Sequence, residues 1–254
     1  MSKGLIKTPE EIELMRKCGR IVADVLKLLE KSIKPGITTK ELDEIAEEYI
    51  RSQCAEPAFK GYGTDKKNLY PASLCTSIDD QVVHGIPGQH VLSEGEIISI
   101  DIGVKKDNYH GDGAKSFAVG RVSEEKLRLL KVTEESLYLG IAQATAGNRV
   151  QDISAAIQKY VEKAGFSVVR DLVGHGIGRS LHEEPPVPNY VADGSGMVLK
   201  SGMTLAIEPM INAGSYKVKF NSDGWTVTTA DGKPSAHFEH TVLITDSEPE
   251  ILTK

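Results

Sequence analysis

No stretch of the chain approaches the ~18 consecutive apolar residues of a membrane-spanning helix, so no span is expected. The opening MSKGLIKTPEEIELM has neither an apolar core nor a small-residue cleavage site, and no secretory signal is expected either. Cysteine is scarce and odd in number. Cys18, Cys54 and Cys75 form no CxxC pair and no even framework, which excludes a disulfide scaffold and points to reduced thiols in a cytoplasmic protein. Low-complexity tracts are absent and 40% of the residues are apolar, which excludes disorder. Positive charge is in deficit. A net charge of −6 argues against nucleic acid as the main partner. At 254 residues the chain is one large domain or two small, intimately packed ones, and buries roughly three-quarters of its unfolded surface.

What is present falls into two similar halves. Thr8-Pro9-Glu10-Glu11 offers an N-cap, a proline at the first helical position and a glutamate at the third. Apolar residues from Ile12 to Leu29 then recur at helical spacing up to about Lys31. Pro35-Gly36 breaks the chain, and Thr38 with Glu41 starts a second amphipathic helix. Loops and short strands are expected from Glu56 to Pro87, then a strand pair at Glu96–Lys105 and Tyr109–Val119. In the second half a helix is expected from Ser123 to about Ala146, with Gly147 as the break and a second helix over Gln151–Ala164. A Gly/His/Pro-rich segment (Gly174–Pro188), a strand at Gly202–Ile211 and a strand-rich tail follow.

The repeat sharpens at one place. Leu92–Asp101 and Leu199–Glu208 share the form L-x-x-G-x-x-[IL]-x-I-[DE] at an offset of 107 residues, and the breaks Gly36 and Gly147 lie 111 apart. A duplicated helix–helix–strand unit with an acid ending each matched segment organises the chain, with halves of about 8–121 and 122–254 in a single domain of 1–254.

Side chains alternate along a strand, so Asp101 shares a face with Ser99 and Gly103, while Ile98, Ile100, Ile102 and Val104 share the other. Glu208 likewise falls with Thr204 and Ala206, opposite Leu205 and Ile207. Each acid projects from a face kept clear by small neighbours. A hairpin turn over Lys105–Asn108, centred between Lys106 and Asp107, would set Asp101 directly opposite Asp112, whose same-face successors Ala114 and Ser116 are again small. Two carboxylates about 5 Å apart destabilise a sheet unless a cation sits between them. For either acid alone, an exposed edge or a loop hydrogen bond is the simpler explanation. The pair, with a third acid in the repeat, favours a metal site.

Further candidate ligands are His175 between Gly174 and Gly176, and Glu239 in the strand-like run Ala236–Ile244. Four carboxylates and an imidazole suit two divalent ions of Mn, Fe, Co or Zn better than a thiolate-rich zinc site would. Paired ions of this kind share a hydroxide nucleophile and polarise a carbonyl in aminopeptidases and phosphatases.

His84-Gly-Ile-Pro87, Ile100-Asp-Ile-Gly-Val104, Tyr109-His-Gly-Asp112, Gly174-His-Gly-Ile-Gly178, Glu208-Pro209 and Glu239-His-Thr241 together resemble the pita-bread metallopeptidases, in particular the type I methionine aminopeptidases. The likeness runs from Thr8 to Thr253. It implies an α/β pita-bread fold of two pseudo-symmetric halves, an antiparallel sheet covered by helices. It also implies a dinuclear hydrolase that removes the initiator methionine from nascent polypeptides when the second residue is small, using a metal-bridging hydroxide.

Carried over by motif, Asp101, Asp112, His175, Glu208 and Glu239 are the implied metal ligands, with Asp112 and Glu239 bridging. His84 would contact the scissile amide, His182 would hydrogen-bond the substrate carbonyl, and Glu208 would also shuttle a proton to the leaving amine. Tyr70, Cys75, Leu181 and Trp225 would line the methionine pocket, with Tyr62 a weaker candidate. Trp225 follows the turn signal Asp223-Gly224, so a packing role competes there. Two departures stand out: Gly61–Leu69 is longer than the usual link into Tyr70-Pro71, and Leu181 stands where an aromatic is frequent. His90, His110, His237 and His240 are expected to be structural.

The resemblance further implies a cytoplasmic, monomeric enzyme whose partners are nascent peptide N-termini, with the ribosome a candidate meeting place and no membrane or direct nucleic-acid contact. Proline-directed aminopeptidases share the metal ligands but usually carry an extra N-terminal domain, whereas the motif-bearing region here begins by Thr8. A non-catalytic pita-bread binding protein would typically lack ligands, and all five positions are intact.

Overall fold

The computed structural model describes residues 4–194 and 196–254, so the first three residues of the opening segment lie outside it. The first half contains helices α1 (Pro9–Ser32) and α2 (Thr39–Ser52), followed by strands β1 (Glu56–Pro57), β2 (Leu74–Ile78), β3 (Gln81–Val83), β4 (Ile97–Lys106) and β5 (Tyr109–Ala118). The second half opens with α3 (Glu124–Ile141) and α4 (Val150–Lys163), then β6 (Ser167–Val168), β7 (Gly174–Gly176) and β8 (Glu183–Val187). It continues with β9 (Thr204–Ile207), β10 (Met210–Asn212), β11 (Val218–Phe220), β12 (Val227–Thr229), β13 (Ser235–His237), β14 (Glu239–Leu243) and β15 (Glu250–Ile251). No helix among the described residues is long and apolar enough to cross a membrane.

The helix starts follow from capping. Thr8 accepts from the Glu11 amide while the Glu11 carboxylate accepts from the Thr8 amide, and Thr38 with Glu41 repeats the exchange at α2. Helix α3 stops at Ile141, five residues short of the predicted Ala146. The cause is tertiary: Thr145 bridges to Thr245 and the Ala146 amide donates to the Thr245 carbonyl, which takes these residues out of the helix.

The main sheet has the order β1-β4-β5-β14-β9-β7-β8, with β2 also on β4 and β15 on β14, and its strand pairs are antiparallel. The halves join where β5 meets β14. On one face, Ile98, Ile100, Ile102 and Val104 pack with Val22, Val25, Leu29, Leu42 and Ile50 of α1 and α2. Leu205 and Ile207 pack the same way with Leu129, Leu137, Ile153 and Ile157 of α3 and α4. Helix α1 comes unusually close to β5. A Cβ on Gly111 would lie 2.9 Å from the Gly19 amide nitrogen, and one on Gly113 would lie 2.9 Å from Val22. Odd-numbered residues of β5 therefore face the helix, and Asp112 faces away from it.

Two details of register differ from the sequence reading. The β4–β5 turn is Asp107-Asn108, both with positive φ (51° and 63°), the geometry of a two-residue primed turn that matches strand twist. Asp101 consequently pairs with Ala114, and Asp112 with Gly103. The two acids are diagonal neighbours on one face, about 7–8 Å apart at the backbone, not directly opposite. The strand predicted over Gly202–Ile211 is also split. It pairs as β9 in the main sheet through Ile207, and Pro209, which has no N–H to offer a ladder, lies between it and β10 in a separate sheet.

Candidate metal centre

The helix-free face of the sheet carries a cavity of about 300 Å³, and every residue named above as a candidate lines it. Asp101 comes from the middle of β4, Asp112 from β5, His175 from β7 and Glu239 from the start of β14. Glu208 stands one residue beyond β9. Single ligand atoms of Asp112, His175 and Glu239 lie within 4.8 Å of one another. His175 Nε2 is 3.5 Å from one Glu208 oxygen and 3.8 Å from Asp112.

Local sequence explains each placement. A Cβ at Gly174 would lie 2.4 Å from the Ala206 carbonyl, and one at Gly176 would lie 2.1 Å from the Glu184 carbonyl, so the two glycines let strands close around His175. Its Nδ1 is 2.9 Å from the Gly176 carbonyl. A carbonyl only accepts, so the ring proton sits on Nδ1 and Nε2 keeps its lone pair for the centre. Asp112 is held through its backbone: its amide donates to Thr241 Oγ1 (3.0 Å), whose hydroxyl donates back to the Asp112 carbonyl (2.8 Å). His84 adopts φ 60°, a left-handed conformation that costs a non-glycine residue energy and collects at functional sites.

Burial and mutual repulsion make the cluster costly as it stands. Burial pushes the Asp101 carboxyl up to about 7, with Glu208 adding to the rise and His237 opposing it. Burial alone pushes Glu208 up to about 8. Asp112 and Glu239 are raised well above the usual carboxylate range, first by burial and then by neighbouring acids. Burial also drives His175 down to about 3 and His84 to about 4, keeping both rings neutral. Two carboxylate oxygens, Asp101 Oδ1 and Glu239 Oε1, are buried with no hydrogen-bond partner among the described residues. Leaving such acceptors unpaired is expensive unless a cation satisfies them. The oxygen-rich set with one imidazole fits a divalent ion, which would hold these acids ionised.

Beyond the acids the cavity turns apolar. Cys75 pairs across the ladder with Asp101 and so shares its face. Tyr70 meets Trp225 edge-on (centroids 5.2 Å) and Phe59 at 6.4 Å, while its hydroxyl donates to the carbonyls of Leu74 and Gly85. Leu181 packs in the same apolar cluster, while Val83 lines the cavity from a separate cluster with Met210. Trp225 therefore faces the cavity as well as packing within the fold. Tyr62 reaches His182, with its hydroxyl hydrogen-bonded to His182 Nδ1.

Sequence reasoning missed several neighbours. Phe59, Val83 and Met210 line the cavity without having been singled out. His237, expected to be structural, is 1% exposed, with Nε2 3.6 Å from the second Glu208 oxygen and no hydrogen-bond partner among the described residues. The available signal was alternation, since His237 stands two residues before Glu239 in a strand-rich run. Asn189 also supports the site, donating to the Glu208 carbonyl at 3.0 Å. His110 and His240 are tied elsewhere, to Gly178 and to Thr253.

A model of metallopeptidase family M24 matches residues 13–246. A methionine aminopeptidase of Clostridium perfringens is 55% identical over 250 residues, covering 98% of each chain. Methionine aminopeptidase 1 of Bacillus subtilis is 54% identical over 250 residues, covering 98% of this chain and 99% of that one. The crystal structure of methionine aminopeptidase from Thermotoga maritima matches with a TM-score of 0.94 at 46% identity, covering 98% of either chain.

Proposed function

The chain belongs to metallopeptidase family M24 and has its α/β pita-bread fold, and from that membership we infer that it removes the N-terminal methionine of polypeptides by metal-dependent hydrolysis, preferring a small second residue. The observation that carries this reading is the meeting of four carboxylates and an imidazole from both halves at the polar end of an apolar cavity. The whole chain forms one catalytic domain, since the ligands are divided between residues 8–121 and 122–254 and neither part holds the set alone.

Asp101, Asp112, His175, Glu208 and Glu239 would hold two divalent ions. The ions supply Lewis acidity toward a carbonyl and acidify a water. The apolar end, bounded by Tyr70, Cys75, Leu181 and Trp225, takes a flexible thioether and rejects charge, because nothing there would pair with a buried ion. His182 donates a hydrogen bond to the carbonyl oxygen as negative charge grows on it. His84 meets the scissile amide. Glu208 lies between His175 and His237 with its two oxygens, and its carboxylate accepts a proton from the attacking water and passes it to the leaving amine nitrogen. The same reading makes the protein a cytoplasmic monomer that meets nascent N-termini at the ribosome.

The test is the cleavage profile of the Mn²⁺-loaded chain. Methionine should be released from Met-Ala-Ser, while Met-Lys-Ser stays nearly intact. Release of the first residue from Ala-Pro-Ser in place of Met-Ala-Ser would move the protein to the proline-directed peptidases.

A further inference from the structure

One contact at the cavity wall links the two halves without touching an acid. The Tyr62 hydroxyl is bonded to Nδ1 of His182, 120 positions away in the chain. The rings also meet edge-on, with centroids 5.1 Å apart and planes at 67°. The His182 ring is packed in turn against His175, centroids 4.3 Å apart. Such contacts on two rings leave His182 little freedom to turn.

Tyr62 is itself fixed at the base of the long loop noted in the sequence. Its amide donates to the Phe59 carbonyl and its carbonyl accepts from the Tyr70 amide, both at 2.8 Å. The Gly61 amide donates to the Tyr70 carbonyl at 2.8 Å. Further out, the Asn68 side-chain amide donates to the Asp223 carbonyl at 3.1 Å. The extra residues of the loop therefore extend from a pinned base, and Tyr62 belongs to the base.

A neutral imidazole has one N–H and one lone pair, and whichever nitrogen accepts a hydrogen bond leaves the proton on the other. A phenol is protonated near neutral pH and its O–H donates, so toward Tyr62 the imidazole Nδ1 is the acceptor. We propose that Tyr62 is a positioning residue, whose O–H donates to His182 Nδ1 and so holds the ring's single N–H on Nε2, the nitrogen left to serve the substrate carbonyl. The inference rests on the role given to His182 above. It separates two functions that a wall residue would merge: shaping the pocket, which the ring does, and setting a tautomer, which only the hydroxyl does.

The discriminating variant is Tyr62→Phe, which keeps the ring and deletes the hydroxyl. In the metal-loaded enzyme kcat should fall about tenfold, the worth of one hydrogen bond, with KM unchanged. In a His182→Ala background the same substitution should cost nothing further, because its effect passes through His182. Independently of turnover, ¹⁵N-histidine spectra of the Zn²⁺-loaded chain should show His182 as a single tautomer protonated at Nε2, and a mixture in Tyr62→Phe. The His182→Ala spectrum assigns the signals. Wild-type kcat in Tyr62→Phe, a change confined to KM, or an equal loss in both backgrounds would overturn the proposal. An unchanged His182 tautomer would do the same. Because the spectra need no substrate, a wrong reaction assignment and a wrong role for Tyr62 give different results.

Discussion

Asp101 and Glu208 end the same sequence form in the two halves of the chain, but the fold handles them differently. Asp101 sits mid-strand, paired on one side with Cys75 and on the other with Ala114. Its short side chain is fixed by two ladders. Glu208 stands beyond the last paired residue of β9, next to a proline, with a longer side chain whose oxygens lie near two different imidazoles. The matched strand is thus continuous in one half and cut short in the other. The cut leaves Glu208 outside any ladder, which suits the proton transfer proposed for it better than a ladder-locked acid would.

That contrast breaks if either half can hold the ions alone. Asp112→Ala removes a carboxylate from the first half and Glu239→Ala one from the second. Each should lose ion binding by calorimetric titration and lower turnover about a thousandfold or more. Normal ion binding in one of the two variants would show that the halves are not equal contributors.

A smaller effect comes from titrating the chelated protein. Between pH 6.5 and 8 the carboxyls of an unfolded chain are ionised, while folded Asp101 (about 7) and Glu208 (about 8) still hold protons. Unfolding therefore releases protons in this window, and stability falls as pH rises through it. The histidines whose values burial lowers (His84, His110, His175, His182, His237 and His240) take up protons on unfolding as pH falls toward 6.5 and oppose this slope at the acid end, so the carboxyl effect is read above about pH 7.5. Tm of the EDTA-treated protein should drop from pH 7.5 to 8.5, and added Mn²⁺ should flatten the slope. Parallel slopes with and without ions would mean that these acids do not face the bound metal.

The mildest changes act on the backbone devices themselves. Asn108→Val forces a β-branched residue into φ 63° and should cost about 1–2 kcal/mol by denaturant unfolding. Pro209→Ala restores an N–H where the second strand stops and should change stability by less than about 1 kcal/mol. A larger loss from Pro209→Ala than from Asn108→Val would reverse this contrast between the continuous strand and the cut one.

The apolar faces of β4 and β9 were legible in the sequence because a two-residue period survives any small error in strand ends. Asp101, Asp112 and Glu208 stood out as candidates for the same reason: an acid among small residues, in a strand otherwise built for a core, is conspicuous. The register was not. Lys105-Lys106-Asp107-Asn108 allows a turn at either of two placements, and only the pair of positive φ values at Asp107 and Asn108 chooses between them. The early stop of α3 depends on contacts with Thr245, distant in sequence and invisible to local propensity. No motif attaches a role to His237, so from the sequence it reads as structural. Its orphaned Nε2 beside Glu208 becomes apparent only once the halves are together.

Anomalous scattering from crystals of the Mn²⁺-loaded protein tests the metal centre most directly. Peaks are expected at bonding distance, ~2.0–2.3 Å, from Asp112, Glu239 and His175 Nε2, with Asp101 and Glu208 completing the shell. Fully occupied manganese elsewhere on the molecule, with nothing between these five side chains, would contradict a hydrolytic centre shared by the two halves.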